Sequence, residues 1–339
     1  MVPCIDDSRI NDRNGVDSCI NNPLSNLITS SNTTQALMTL HEKNHPSPRD
    51  MDPIWLKIHQ EASLGEKQEP ILSTFFRSTI LSFDSLESAL ANLLAVKLCN
   101  PYLSRETLYG EFLLALQETD EILQGNIREA IRADLRAWRE RDPACLSYLH
   151  CFLDFKGFQA CQAYRISHTL WLLGRRGLAL IIQARVSEVF GVDIHPRAKI
   201  GKGIVIDHAT GVVIGETCVV GDNVTIFHNV TLGGRGEEIW AGGEFQRTGF
   251  IVWQAPNPHE LLGGNQYDEV FSGEQRRRHP EIGDGVLIGA GAKVLGNIRV
   301  GNGARIGAAS LVLKDVPPLA TAVGNPARLV HHKRKKIPP

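Results

Sequence analysis

The sequence predicts an α+β chain of two unlike halves: an all-α domain in the N-terminal half, then a parallel β-helix built from six-residue repeats. Three observations carry this. Between Asp52 and Phe190 apolar residues recur at three- and four-residue spacings, the period of helices with one buried face. From Val192 onward the period changes to six, which suits neither a helix nor a simple strand. With 339 residues, 42% of them hydrophobic and 22% charged, the chain can bury a core in each half.

The expected divisions are a leader over 1–50, a helical domain over 51–190, a β-helix over 191–325 and a basic tail over 326–339. The leader is rich in Asn, Ser and Thr and holds Asp6, Asp7, Asp12 and Asp17. Organelle transit peptides avoid acids, so this segment reads as a disordered cytosolic leader. In the helical half, Asp84 or Ser85 can cap a helix whose apolar face runs through Leu93, Leu94 and Leu98, with Pro101 ending it. A second helix, Asn126 to Arg139, carries Ile127, Ile131, Leu135 and Trp138 on one stripe before Pro143. Residues 155–190 read as one or two more helices, divided near Gly174 and Gly177.

The repeat then begins. Ile194, Ile200 and Ile206 form a first run, which resumes after a two-residue slip as Ile214, Val220, Ile226 and Leu232; a second run is Ile282, Ile288, Val294, Val300, Ile306 and Val312. All thirteen positions are aliphatic and glycine follows eight of them. Short strands joined by sharp corners satisfy that pattern, each aliphatic side chain stacking on its counterpart three hexads later. Strands of an ordinary α/β sheet are excluded, because parallel strands need crossovers of about a dozen residues. Such a coil needs stacked neighbours, capped ends and commonly a partner.

Composition excludes several classes. Lys plus Arg is 36 against 37 for Asp plus Glu, so there is no general electrostatic drive towards nucleic acid or membrane. The apolar stretch from Ile166 to Ala184 is broken by Arg175 and Arg176, which prevents an uninterrupted apolar span. Seven scattered cysteines without a C-x-x-C pair argue against a disulfide framework and a cysteine zinc site, and fit a reducing compartment. His195, His208, His228 and His279 have no recognisable ligand spacing, so no metal is expected. Gly233-Gly234-Arg235-Gly236 follows a hexad instead of opening a helix, so nucleotide-binding readings fail.

The residues between the hexads narrow the reading further. Val192-Asp193-Ile194-His195-Pro196, Ile206-Asp207-His208-Ala209-Thr210-Gly211, Gly215-Glu216-Thr217, Asn229-Val230-Thr231-Leu232-Gly233-Gly234, Arg278-His279-Pro280, Val316-Pro317-Pro318 and Gly324-Asn325-Pro326-Ala327-Arg328 together resemble the serine O-acetyltransferase family, of the plant cytosolic kind. In the helical half, Arg141-Asp142-Pro143-Ala144 and Lys156-Gly157-Phe158-Gln159-Ala160 match the same family. The resemblance spans about residues 52 to 330 and implies a left-handed β-helix, with acetyl-CoA as co-substrate and no metal.

Acetyl transfer from a thioester to a hydroxyl needs a base for the hydroxyl proton, and imidazole suits that near neutral pH. His208 is the candidate base, with Asp193, fifteen residues earlier, to fix and stabilise the imidazolium across neighbouring turns of the coil; the plain alternative is a surface histidine at a turn. By resemblance, Arg278 holds the serine carboxylate, Asp207 and Asp142 take the ammonium, and His279 contacts the substrate. Asp142 also reads simply as a helix-end residue before Pro143, and Arg278 as part of a solvated Arg276-Arg277-Arg278 run. The same resemblance places acetyl-CoA against Gly234, Ala290 and Ala308, where small residues admit the pantetheine arm, with Arg305 at a phosphate. Glycine and alanine serve coil corners anyway. No cysteine lies in these motifs, so direct attack is expected without an acyl-enzyme.

Two features depart from the family. Gly234 and Arg278 are separated by 43 residues where the family has a short loop, and the segment at 235–277 breaks the hexad rule with Glu238, Glu244, Pro256, Asp268 and Glu274 in phase. It adds no coils, and reads as a mobile loop or an accident of sequence assembly; a lid or a partner-binding excursion stays open. The tail ends Lys335-Lys336-Ile337-Pro338-Pro339, whereas family members that dock onto O-acetylserine thiol-lyase usually end in isoleucine.

The reading is therefore a cytoplasmic enzyme making O-acetylserine from L-serine and acetyl-CoA for cysteine synthesis. By resemblance, cysteine inhibits at the serine site and the chain forms homotrimers or hexamers. Two competitors stand beside it: a hexapeptide acetyltransferase for another hydroxyl acceptor, and a regulatory or binding subunit impaired by the excursion.

Overall fold

The computed structural model describes residues 52–117, 126–235 and 277–330. The expected leader, nearly all of the 235–277 segment and the basic run of the tail lie outside them.

The helical half contains α1 (Pro53–Gln68), an irregular helical passage over Pro70–Leu81, α2 (Leu86–Leu98), α3 (Arg105–Gln117), α4 (Ile127–Arg141), α5 (Tyr148–Asp154), α6 (Lys156–Leu172) and α7 (Arg176–Phe190). Caps set the starts. Of the two candidates for α2, Ser85 is the cap, its hydroxyl accepting from the Ser88 N–H at 3.2 Å; Asn126 caps α4 through the Glu129 N–H at 3.0 Å. Ile127, Ile131, Leu135 and Trp138 are all buried along α4, the stripe expected of them. Residues 155–190 form two helices, α6 and α7, divided at Gly174, whose φ of 78° suits a residue without Cβ. Helix α6 is buried on nearly all sides, which makes it the centre of this half. Each large side chain there, such as Phe158 or Ile166, contributes about 1.5–3 kcal/mol by leaving water.

The second half is a parallel β-helix of fifteen short strands among the described residues, β1 (Val192–Ile194) to β15 (Arg328–Leu329). They stack in three sheets: β1 (Val192–Ile194), β4 (Val212–Ile214), β7 (Thr231–Gly233), β10 (Lys293–Leu295) and β13 (Leu311–Val312); β2 (Lys199–Ile200), β5 (Val219–Val220), β8 (Glu281–Ile282) and β11 (Arg299–Val300); and β3 (Val205–Ile206), β6 (Thr225–Ile226), β9 (Leu287–Ile288), β12 (Arg305–Ile306), β14 (Thr321–Val323) and β15 (Arg328–Leu329), so the coil has three faces and three corners. Only the β14–β15 pairing is antiparallel among the named pairs. Twelve of the thirteen hexad aliphatics are buried and Ile200 is half-buried. One corner is closed by a polar ladder: Asp222 Oδ1 accepts from Lys202 N at 2.9 Å, Asp284 Oδ1 from Asp222 N at 2.8 Å and Asn302 Oδ1 from Asp284 N at 3.1 Å.

Register explains both irregularities of the repeat. Val213 pairs with Thr231, an ordinary interval of 18 residues, whereas Val192 pairs with Val212, an interval of 20. The two added residues enter the corner between β3 (Val205–Ile206) and β4 (Val212–Ile214), where His208 and Ala209 have φ of 55° and 59°. Val219 pairs with Glu281, 62 residues on, so the coil leaves its track after β7 (Thr231–Gly233) and resumes at β8 (Glu281–Ile282) in unbroken register. Val219 and Glu281 are therefore direct neighbours on successive coils.

Helix α6 joins the halves. Arg165 donates to both oxygens of Asp134 at 2.9 and 3.0 Å and to the Gly201 carbonyl at 2.7 Å, while Asp134 also accepts from the Ile204 N–H at 2.8 Å. Both side chains are buried. Tyr164 donates to the Ala198 carbonyl at 2.5 Å, and His168 Nδ1 bonds the Pro196 carbonyl at 2.6 Å.

Candidate active site

Register sorts the expected residues onto the corners. Ile206, Ile226, Ile288 and Ile306 pair in sequence. His208, His228, Ala290 and Ala308, each two residues further, therefore share one corner on successive coils. The His208 and His228 rings meet edge to face with centroids 5.8 Å apart. His208 has 75% of its side chain exposed, and its Nε2 lies 3.7 Å from Asp207 Oδ2. The left-handed backbone at His208 and Ala209 costs on the order of 1–3 kcal/mol and projects the imidazole outward from the coil. Surrounding bonds hold it: Gly211 N–H to Gly191 O at 2.8 Å, Asn229 N–H to Thr210 O at 2.8 Å, and Lys156 Nζ to Thr210 Oγ1.

Asp193 is on β1, in the face that follows this corner, but its Oδ1 accepts from Gln183 Nε2 of α7 at 2.6 Å. No hydrogen bond joins it to His208, so the carboxylate beside that imidazole is Asp207. Asp142 ends α4 and its Oδ1 accepts from the Ala144 N–H at 2.8 Å, the helix-end geometry foreseen as its plain alternative. Its neighbour Arg141 ties that helix end to the coil through the Asn223 carbonyl at 3.0 Å and Asn223 Oδ1 at 2.9 Å.

The next corner, after β1, β4 and β7, carries the other cluster. Glu216 binds Arg197 at 2.9 Å and Arg278 at 3.1 Å. Burial alone would raise the Glu216 carboxyl; Arg197, His195 and Arg278 outweigh it and hold the carboxyl below its ordinary range. His195 and His279 are both pushed down, chiefly by burial. The His279 ring lies against Gly215, where a built Cβ would come 2.2 Å from Nε2, and a Cβ on Gly234 would be 3.7 Å from the same nitrogen. Arg305 is exposed on β12 (Arg305–Ile306). Cys218, next to Thr217, is buried and its thiol is pushed up to about 12 by burial, so it is no nucleophile.

One chain therefore brings His208, Asp207, Ala290 and Ala308 to one corner, and Arg278, His279 and Gly234 to another. Glu216, Thr217, Arg197, His195 and Gln183 join these clusters without a role that the sequence alone assigns. Glu216, Thr217 and His195 stand within quoted motifs, which is the available signal; Arg197 and Gln183 stand outside them.

Comparison with known proteins follows the same lines. The family profile "Serine acetyltransferase, N-terminal" matches residues 54–163, and "Bacterial transferase hexapeptide (six repeats)" matches 279–314. Serine acetyltransferase 1, chloroplastic, of Arabidopsis thaliana is 50% identical over 300 residues, 87% of this chain and 82% of that protein. Serine acetyltransferase 3, mitochondrial, of the same plant is 51% identical over 286 residues, 84% of this chain and 62% of that protein. The soybean serine acetyltransferase complexed with serine superposes with a TM-score of 0.67 at 50% identity, covering 82% of this chain and 97% of that one. The chloroplastic and mitochondrial names overturn the cytoplasmic reading of the leader. Four aspartates among fifty residues are the argument against a transit peptide, and net composition is too weak a signal to fix a compartment. The shared helical domain, the coil and identity of about half the residues over most of the length make this chain a member of the serine acetyltransferase family.

Proposed function

We propose that the chain transfers the acetyl group of acetyl-CoA to the hydroxyl of L-serine, giving O-acetylserine and CoA, in a groove between two copies of the chain. The observation that carries this is the separation of an exposed His208–Asp207 pair from the Arg278–His279 pair on different corners of one coil. Two copies set side by side can place one chain's imidazole opposite the other's guanidinium, which one chain cannot do.

His208 takes the serine hydroxyl proton as the oxygen attacks the thioester carbonyl, and Asp207 stabilises the imidazolium at 3.7 Å. Asp193, held by Gln183, lies on the adjoining strand as a second carboxylate for that charge. Arg278 receives the serine carboxylate, while Asp142 and Asp207 take the ammonium. Ala290 and Ala308 continue the His208 corner along the coil. Side chains this small let the pantetheine arm lie on the backbone, with Gly234 near the acyl end and Arg305 free to meet a phosphate. The serine oxygen bonds the acyl carbon as the C–S bond breaks, and the His208 imidazolium returns its proton to the departing CoA thiolate; because attack is direct, no acyl-enzyme forms. Cysteine carries the same charged ends as serine and competes at this site.

The test is serine-dependent release of CoA thiol, with His208→Ala and Arg278→Ala copies purified singly and then co-assembled. Each alone is expected to lose activity by about a thousandfold, and mixed oligomers to regain a substantial fraction. Recovery absent from mixed oligomers places the site within one chain. A wild-type chain that assembles but never releases CoA is a binding subunit, obstructed by the excursion entering at Arg278.

A further inference from the structure

The Gly215-Glu216-Thr217 turn is quoted in the resemblance, yet Thr217 has no part in the machinery above. Among the described residues its hydrogen bonds lead to the Arg278–His279 pair. Thr217 Oγ1 accepts the backbone N–H of Arg278 at 3.0 Å and that of His279 at 3.2 Å. The same oxygen lies 2.8 Å from His279 Nδ1, and the Thr217 N–H is donated to that nitrogen at 3.2 Å.

These contacts decide where the imidazole proton is. Two backbone donors occupy the acceptor positions of the hydroxyl, so its own hydrogen is left to point at Nδ1. Nδ1 then receives two donors, O–H and N–H, and has no room for a proton. A neutral ring with Nδ1 accepting must carry its proton on Nε2. Nε2 lies over Gly215 and faces Gly234. Among the described residues, the charged and titratable groups around the ring are Arg278, Glu216 and His195, and Glu216 is already paired with Arg197 and Arg278. Burial first, and then the Arg278 guanidinium, oppose a second proton on the ring.

We propose that Thr217 is a positioning residue that fixes His279 as a neutral imidazole whose Nε2–H donates into the groove beside Gly234. His279 then recognises a substrate oxygen bearing negative charge and is not a second base. That oxygen is either the serine carboxylate or the thioester carbonyl oxygen as charge develops on it. The inference rests on the reading that puts His279 at the substrate.

The experiment compares wild type, Thr217→Val, Thr217→Ser and His279→Ala in the full chain. It measures kcat and KM for serine and acetyl-CoA from about pH 6 to 9, together with imidazole nitrogen NMR of histidine-labelled protein. The His279 signals are assigned by their loss in His279→Ala. Wild type is expected to show the Nε2-protonated tautomer across this range. Thr217→Val is expected to show mixed tautomers and about a tenfold loss of kcat/KM, while Thr217→Ser, which keeps the hydroxyl, returns to near wild type. A loss carried by the serine KM assigns the Nε2–H to the carboxylate, and a loss carried by kcat assigns it to the acyl oxygen. An Nδ1-protonated ring in wild type overturns the proposal even if Thr217→Val fails to fold. So does a Thr217→Val chain with wild-type kinetics beside an impaired His279→Ala. If His279→Ala itself has wild-type activity, the site reading fails instead.

Discussion

Gly157, the second residue of α6, lies so close to Ile206 that a Cβ built on it would come 1.9 Å from the Ile206 carbonyl oxygen. The helix start thus rests directly on the coil backbone, one residue before Asp207 and two before His208. Lys156, alongside, bonds Thr210 on the far side of the same corner. A central helix of one domain thereby sets the position of the candidate base in the other.

Gly157→Ala must move backbone, since the obstructing atom is a carbonyl. We expect a stability loss of about 1–3 kcal/mol, read as a lowered melting temperature. The kcat loss should exceed what the folded fraction explains, because the His208 corner moves with the helix. Parallel thermal and kinetic measurements check this, and a variant as stable and as active as wild type refutes it.

Asp134→Asn leaves Arg165 buried without its counter-charge and weakens the acceptor for the Ile204 N–H. The expected cost is about 3–5 kcal/mol, seen by denaturant unfolding. Replacing Asp134 and Arg165 together with leucine and methionine should recover much of it, because a buried pair owes most of its sensitivity to the charge left alone.

The long excursion leaves and returns at one point: a Cβ on Gly234 would be 3.5 Å from the Arg278 carbonyl oxygen. Deleting residues 236 to 275 should therefore preserve the coil register. Shortening the loop lowers the entropic cost of closure by about 2 kcal/mol, so the melting temperature should rise. A deletion chain that fails to fold would show that the excursion builds part of the core.

His168, His195 and His279 are all held below their ordinary value of 6.5, mainly by burial. The unfolded chain then binds protons that the folded chain refuses. Their contribution to stability is complete above about pH 6.5 and declines as the pH falls below it. The lowered Glu216 carboxyl adds a further loss below its ordinary 4.5. Melting temperatures measured from about pH 7.5 to 5 should fall, and His195→Gln should flatten the slope; a slope unchanged in that variant would remove His195 from the account.

The sequence by itself determined the coil, because a period of six is a local property repeated thirteen times and each repeat constrains the next. It also determined the two-residue slip and the break after Gly234, and register confirms both as a 20-residue and a 62-residue interval. Helix α4 was legible for a similar reason, since its stripe has a clear period. Tertiary structure alone decided which side chains meet. Nothing in the spacing says that Arg165 of α6 reaches across to Gly201, that Gln183 of α7 takes Asp193, or that Glu216 pairs with both Arg197 and Arg278. Corner identity was hidden as well: His208 and His279 read as one site in the sequence, but register puts them on different edges of the prism. Periodicity fixes position along a repeat, whereas contacts between unlike elements depend on how whole helices and coils pack, which no local pattern records.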